Sequence, residues 1–288
     1  MKGYLLALAA LLFSNDTLAQ ELPTRWDELV ASDFPAALQK SSKTCILPIG
    51  ILEKHGLHSP IGTDLIHVRE WAAHAVQSEY AVVFPDYFYG QINEARHQPG
   101  TFSLPNKLIL ELLEATCDEI ARNGFDKIII LNGHGGNPEF LEFFMQGLLN
   151  KRHHYAVYLY RPEIDPDYTK EYQKKHISDM LTDLHGGESE TSILLHYRPD
   201  LMRINRASGE NGVNQQRSSL PDLYTPIWWY SSYPNHYAGD ASKSTAGLGK
   251  FVSGHEIAQF IKALKKVKAD TKTIELQNEF FDRVEKLN

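Results

Sequence analysis

The chain has 288 residues, 42% of them hydrophobic and 23% charged, and a formal net charge of −7. That much apolar material supports a sizeable packed core and excludes a chain disordered throughout. The acidic balance contains no basic block to draw in a phosphate backbone, so no nucleic-acid partner is expected.

Residues 1–19 read as a cleavable export signal rather than part of the fold. Lys2 supplies a short positive region, residues 4–13 an apolar run, and Thr17, Leu18 and Ala19 a small-residue cleavage site. The run is too short to span a bilayer, and no later stretch is long enough. The expected mature protein is therefore periplasmic or extracellular, free of the membrane after cleavage, and a single domain over residues 20–288. Cys45 and Cys117 are the two cysteines. An exported protein can pair them, yet each falls in an apolar pattern that suits buried free thiols at least as well.

The rest of the chain alternates strand and helix signals. Residues 26–39 carry a helical pattern. Residues 45–52 (CILPIGIL) are nearly continuously apolar, as a strand buried on both faces requires. The spacing of Ile66, Trp71, Ala72 and Val76 predicts a helix over 64–80. Residues 81–85 form a short second strand, and 90–105 a loop punctuated by Gly, Pro and Asn. A strongly amphipathic helix over 106–123 ends at Asn123-Gly124. A third buried strand covers 127–131, a helix opened by Pro138 covers 138–151, and a fourth strand covers 155–160. A polar helical stretch follows over 161–180. Residues 183–192 then open an apolar helix over 193–197. Residues 205–250 are long, irregular and rich in Ser, Asn, Gly, Tyr and Trp; a loop of that length marks function or an interface. Helices over 254–265 and 278–288 close the chain. This alternation predicts an α/β fold with a largely parallel sheet, in which functional groups collect where strands run out into loops.

Three polar strings lie at such places. The first runs from Glu53 to Asp64 (EKHGLHSPIGTD). If it leaves the strand extended, Glu53 and His55 share a side, and Asp64 returns after a turn marked by Gly56, Pro60 and Gly62. Two carboxylates and an imidazole form an O/N donor set for a divalent metal. An exposed polar loop with idle histidines is the alternative that this spacing alone leaves open. The second string, Asn132 to Asn137 (NGHGGN), presents His134 between glycines, which permit close backbone approach. It lacks the Lys-Ser/Thr ending of a phosphate loop. The third, His185 to Ser192 (HGGESETS), opens a helix with acidic residues. An acidic cap offsetting the helix dipole explains one Glu, but not both Glu188 and Glu190, nor the His-Gly-Gly lead-in. His67, His74, His153 and His154 read as surface or packing residues.

Together the strings resemble the creatininase family of amidohydrolases. The matching patterns are E-x-H-G-x-H-x-P-x-x-T-D from Glu53 to Asp64, N-G-H-G-G-N from Asn132 to Asn137, and H-G-G-E-x-E-T-S from His185 to Ser192. Weaker matches are His97-Gln98-Pro99-Gly100-Thr101 and Gly239-Asp240 with Gly247 and Gly249. The resemblance implies a three-layer α/β/α fold and a centre of two divalent metal ions. By position, Asp64 corresponds to the bridging ligand, Glu53 and His134 to ligands of one metal, and His55 to a ligand of the other. In creatininase a carboxylate at the third position of the N-G-H string completes the second site. This chain has Gly136 there, so Glu190 is the expected replacement, with Glu188 as the other candidate. His185 corresponds to the family's proton-transfer histidine. His58, His97, Glu188 and Asn137 are expected beside the metals or the substrate.

Carboxylate and imidazole ligands admit zinc, manganese and iron alike. The implied reaction is hydrolysis of a non-peptide or cyclic C–N amide bond in a small molecule, by a hydroxide that bridges the metals. Creatininase carries a Trp-Asp pair shortly before the proton-transfer histidine. Leu181-Thr182-Asp183 stand there instead, so creatinine is not the expected substrate, and the branches acting on formamides or a modified peptide come closer. The family also forms ring-like homo-oligomers, commonly hexamers, so a homo-oligomer is implied. Three other readings use the same residues: a metal-dependent peptidase, a phosphoesterase, and a metal- or ligand-binding protein without turnover. Trp228, Trp229, Tyr230 and Tyr233 read as interface or core ahead of pocket lining.

Overall fold

A computed structural model describes residues 21–287 except 219 and 221. Residues 1–19, expected to be an export signal, lie outside the described residues. In chain order the elements are α1 (Phe34–Lys40), β1 (Thr44–Ile49), α2 (Thr63–Ser78), β2 (Val82–Val83), α3 (Asn106–Arg122), β3 (Lys127–Asn132), α4 (Pro138–Gly147) and β4 (Ala156–Leu159). They continue with α5 (Pro166–Lys175), α6 (Glu188–Tyr197), α7 (Trp228–Ser232), α8 (Ala246–Ala269) and α9 (Lys272–Glu285).

The four strands form one parallel sheet in the order β2-β1-β3-β4. Strand side chains alternate between faces, and both faces are covered. Cys45, Leu47 and Ile49 of β1 and Ile128 and Ile130 of β3 pack with α3 (Leu113, Cys117, Ile120) and α4 (Leu141, Phe144). Ile46, Ile129 and Leu131 pack with α2 (Val68, Trp71, Ala72, Val76) and α8 (Phe260, Leu264). This is a three-layer α/β/α arrangement, and it explains why β1 and β3 read as unbroken apolar runs rather than alternating ones. Truncating a fully buried side chain such as Leu113 to Ala would cost about 2–5 kcal/mol.

A third apolar cluster fixes the site's frame. Ile193 and Leu194 of α6 pack with Leu248 and Val252 of α8 and Ile66 of α2. That contact sets the first turn of α6 beside the first turn of α2, and so brings Glu190 towards Asp64.

The structure departs from the sequence reading in several places. β1 ends at Ile49, and residues 50–62 are irregular, so strand alternation does not present Glu53 and His55. The segment instead folds on itself: the Glu53 N–H donates to the Ile61 carbonyl at 2.9 Å, and the Thr63 hydroxyl to the Pro60 carbonyl at 2.7 Å. Over 161–180 only α5 is helical, started by Asp165, whose carboxylate accepts the Asp167 and Tyr168 amides. α8 starts at Ala246, well before residue 254. Cys45 and Cys117 are both buried and unpaired.

Candidate metal centre

Glu53, His55, Asp64, His134 and Glu190 converge where β1 and β3 run out and where α2 and α6 begin. Asp64 lies at the middle. One carboxylate oxygen, Oδ1, is 3.0 Å from His55 Nε2, and the other, Oδ2, is 2.9 Å from His134 Nδ1. His134 Nδ1 is also 2.9 Å from Glu53 Oε1. Glu190 Oε2 is 3.7 Å from His55 Nε2. The donor atoms fall into three overlapping sets, each within 4.8 Å: Glu53–Asp64–His134, His55–Asp64–Glu190 and Glu53–His55–His185.

These residues fit a cation. Glu53 and Asp64 are almost wholly buried, and among the described residues no Lys or Arg pairs with either of them or with Glu190. Buried carboxylates without a cationic partner cost several kcal/mol each. Glu53 Oε1, Asp64 Oδ2 and His55 Nε2 are buried with no hydrogen-bond partner, and such orphans call for an ion or another group between them. His134 is the most telling. Its Nε2 lies 2.9 Å from the Gln91 carbonyl, an acceptor only, so Nε2 carries the proton. In the neutral ring, Nδ1 then aims a lone pair at two carboxylate oxygens. Either an extra proton or a metal ion must occupy that space. With the proton, burial lowers the His134 pKa but the Glu53 and Asp64 carboxylates outweigh it and hold it well above the usual range. His55 behaves alike: burial lowers its pKa, Asp64 raises it, and the result is about 10. Burial raises Glu53, but His134 and His185 more than reverse it. Glu190 is raised, chiefly by burial.

The supporting residues are layered around this cluster. Asn137 is fully buried; its Oδ1 accepts the Gln91 N–H at 2.9 Å and its Nδ2 donates to Asn132 Oδ1 at 3.0 Å. Asn137 therefore holds the Gln91 backbone through its N–H, and the Gln91 carbonyl orients His134. Gly136 lies against the same ring: a Cβ there would meet His134 Nε2 at 2.5 Å. No side chain fits at position 136 with His134 in place, so the position cannot supply a carboxylate. His58 Nε2 lies 2.8 Å from the Thr191 hydroxyl and 3.1 Å from the Gly186 carbonyl, tying the first string to the third. Burial lowers its pKa to about 4. His185 donates from Nε2 to the Lys54 carbonyl at 2.8 Å, which leaves Nδ1 as the ring's acceptor. Its ring centroid is 4.2 Å from that of His55. Burial, with the nearby His55, lowers its pKa to about 3.

Two expected neighbours lie elsewhere. Glu188 does not face the cluster; its carboxylate accepts the Ile177 and Ser178 amides at 2.6–3.1 Å, because the first turn of α6 directs it at the preceding loop. His97 is exposed and donates to the Pro234 carbonyl at 2.9 Å. One residue that the sequence reading passed over is part of the cluster's wall. His236 is buried, and its Nε2 hydrogen-bonds Glu53 Oε2. Trp229 is not merely core, since its indole N–H donates to His236 Nδ1 at 2.7 Å. The only local signal was position within the long irregular segment.

Fold and cluster define a class: a three-layer α/β/α protein with a buried carboxylate–imidazole donor set at the carboxyl ends of its strands. Comparison with known proteins narrows it. The family model for creatininase, described as creatinine amidohydrolase, matches residues 27–264. The creatinine amidohydrolase of Pseudomonas putida is 26% identical over 191 residues, which are 62% of this chain and 74% of that protein. The mycofactocin precursor peptide peptidase of Mycolicibacterium smegmatis is 33% identical over 162 residues, 54% of this chain and 58% of that protein. A crystal structure of creatininase superposes with a TM-score of 0.71 at 21% identity, covering 86% of this chain and 99% of that one. The chain belongs to the creatininase family of hydrolases.

Proposed function

We propose that this chain is a binuclear metal-dependent amidohydrolase acting on a small-molecule C–N amide bond. The observation that carries the reading is the central Asp64, whose two oxygens face two different imidazole nitrogens at 3.0 and 2.9 Å. Glu53, Asp64 and His134 would hold one cation, and His55, Asp64 and Glu190 the other, with Asp64 shared. Glu190 then replaces the carboxylate that Gly136 cannot provide. Zinc, manganese or iron suits the oxygen and nitrogen donors, and creatininase structures exist in manganese and zinc–zinc forms. Bound cations would supply an acidified water and a polarised carbonyl.

The chain's own groups do the rest. The Glu190 side chain is 35% exposed while Glu53, His55 and Asp64 are closed off, so the substrate approaches from the Glu190 side. His185, held by the Lys54 carbonyl, offers Nδ1 as the atom that takes up and returns a proton. A non-peptide or cyclic amide is the substrate class we favour, in line with the creatinine amidohydrolase relative, and the peptide peptidase relative makes a peptide bond the second reading. Export and homo-oligomerisation belong to the same proposal.

The test joins metal analysis to a substrate panel. The purified protein should carry close to two divalent ions and hydrolyse some member of a panel of small amides, lactams and formamides, while leaving a generic phosphodiester intact. A metal-free protein that gains no activity with zinc, manganese or iron would end the proposal.

A further inference from the structure

The residues that grip Glu53 from behind come from a stretch without any motif. His236 is buried, with φ at +53°, a left-handed conformation uncommon outside glycine. The backbone accepts that strain and the ring reaches Glu53. Tryptophan's indole nitrogen can only donate, so the 2.7 Å contact from Trp229 Nε1 makes His236 Nδ1 an acceptor and places the ring's proton on Nε2. That proton points at Glu53 Oε2. The neighbouring carbonyls are pinned as well. Pro234 accepts from His97 Nε2 at 2.9 Å and from Gln98 Nε2 at 3.1 Å. Asn235 accepts from Lys54 Nζ at 2.9 Å, and the same ammonium pairs with Glu210 at 2.6 Å.

We propose that Trp229 and His236 form a positioning relay that selects which oxygen of Glu53 serves the metal. Trp229 fixes the His236 tautomer; His236 occupies Oε2; Oε1 is left facing His134 and Asp64 as a single-oxygen ligand. His97 and Lys54 act one step further out, by holding the segment that delivers His236. The inference rests on the metal-centre reading, and partners of this kind that orient a ligand govern metal affinity as well as turnover.

The experiment titrates the metal-stripped full-length protein with Mn2+ alone by calorimetry and records the metal-free melting temperature alongside. Two variants keep the result independent of folding. In His236→Asn the new residue tolerates a left-handed backbone, but its side chain is too short to reach Glu53. In Trp229→Phe an aromatic ring stays, but the N–H goes together with part of the indole's bulk, and the metal-free melting temperature reports that packing loss separately. His236→Asn should weaken one of the two Mn2+ sites by about 10–100-fold and leave the other unchanged. Trp229→Phe should weaken the same site by a smaller factor, because His236 is then free to take the other tautomer. If both variants bind Mn2+ like the wild type at both sites and only the metal-free melting temperature falls, the relay is structural and the inference is overturned. Wild-type protein that binds neither Mn2+ nor, in a parallel titration, Zn2+ or Fe2+ would overturn the metal-centre reading, and this inference with it.

Discussion

Adding one methyl group at Gly136 separates the demands of the site from those of the fold. The new Cβ of Gly136→Ala would lie 2.5 Å from His134 Nε2, 3.1 Å from Cε1 of the same ring and 2.9 Å from Gln91 Oε1. The Gln91 amide end can swing aside cheaply, but the imidazole cannot. Its Nε2 is bonded to the Gln91 carbonyl and its Nδ1 lies 2.9 Å from two carboxylates. Reaching ordinary contact at 3.4 Å would move the ring by roughly 0.9 Å, enough to break the Nε2 bond or drive Nδ1 out of line. Overpacking of this kind costs about 1–3 kcal/mol. Restricting the unfolded chain returns roughly 0.4–1 kcal/mol. The net loss is about 1–2 kcal/mol, or roughly 2–8 °C in Tm for a protein of this size. Metal affinity should fall more visibly, by about 10–100-fold, because the displaced group is a proposed ligand. Gly135→Ala is the matched control. Nothing lies within 4 Å of its Cβ position, so it should match or slightly exceed the wild type in Tm and bind metal equally well. Thermal denaturation of metal-free protein and Mn2+ titration read both quantities. Wild-type Tm and affinity in Gly136→Ala would show that the His134 ring is not held against position 136.

Other outcomes follow from the same structure. Glu190→Gln should lower metal content from about two ions per chain to about one. Glu188→Gln should leave metal content alone and cost about 1–3 kcal/mol of stability, since its carboxylate serves the Ile177 and Ser178 amides; metal loss in both variants would contradict the assignment. Burial raises the thiols of Cys45 and Cys117, so a thiol reagent should label neither in the native protein and both after denaturation. Asp270 is lowered to about 2 by hydrogen bonds from Thr273 and Tyr158. A carboxylate with a depressed folded pKa stabilises the fold above its ordinary value near 3.8 and loses that effect as pH falls towards 2. The Tm difference between wild type and Asp270→Asn should therefore hold steady above about pH 4 and close below it.

What could be read from the sequence, and what could not, follows from the range of each signal. The continuous apolar runs of β1 and β3 announced a covered parallel sheet because burial on both faces removes the polar alternation. Glu53, His55, Asp64, His134 and Glu190 stood out because each lies in a short string with a glycine or proline turn at a strand or helix end. Their mutual geometry was less legible: Glu53 and His55 share the site through an irregular loop closed by Ile61, not through strand alternation. The start of α8 was hidden by Gly247 and Gly249, which read as part of the irregular segment over 205–250. Gly249 is there for close packing, since a Cβ would fall 1.9 Å from the Ser192 carbonyl of α6. His236 left no local trace. It meets Glu53 across 183 positions of sequence, and nothing in Tyr233-Pro234-Asn235-His236 resembles a ligand spacing. Glu188 misled for the opposite reason: it shares a string with Glu190, yet two positions on a helix point in different directions.

The proposed centre stands or falls on Asp64 being shared by two metal ions. Crystals of the metal-loaded protein, measured above and below the absorption edge of the bound metal, test it most directly. Two anomalous peaks are expected to flank Asp64, one against Glu53 and His134 and the other against His55 and Glu190. A single peak, or two peaks with Asp64 touching only one of them, would contradict it.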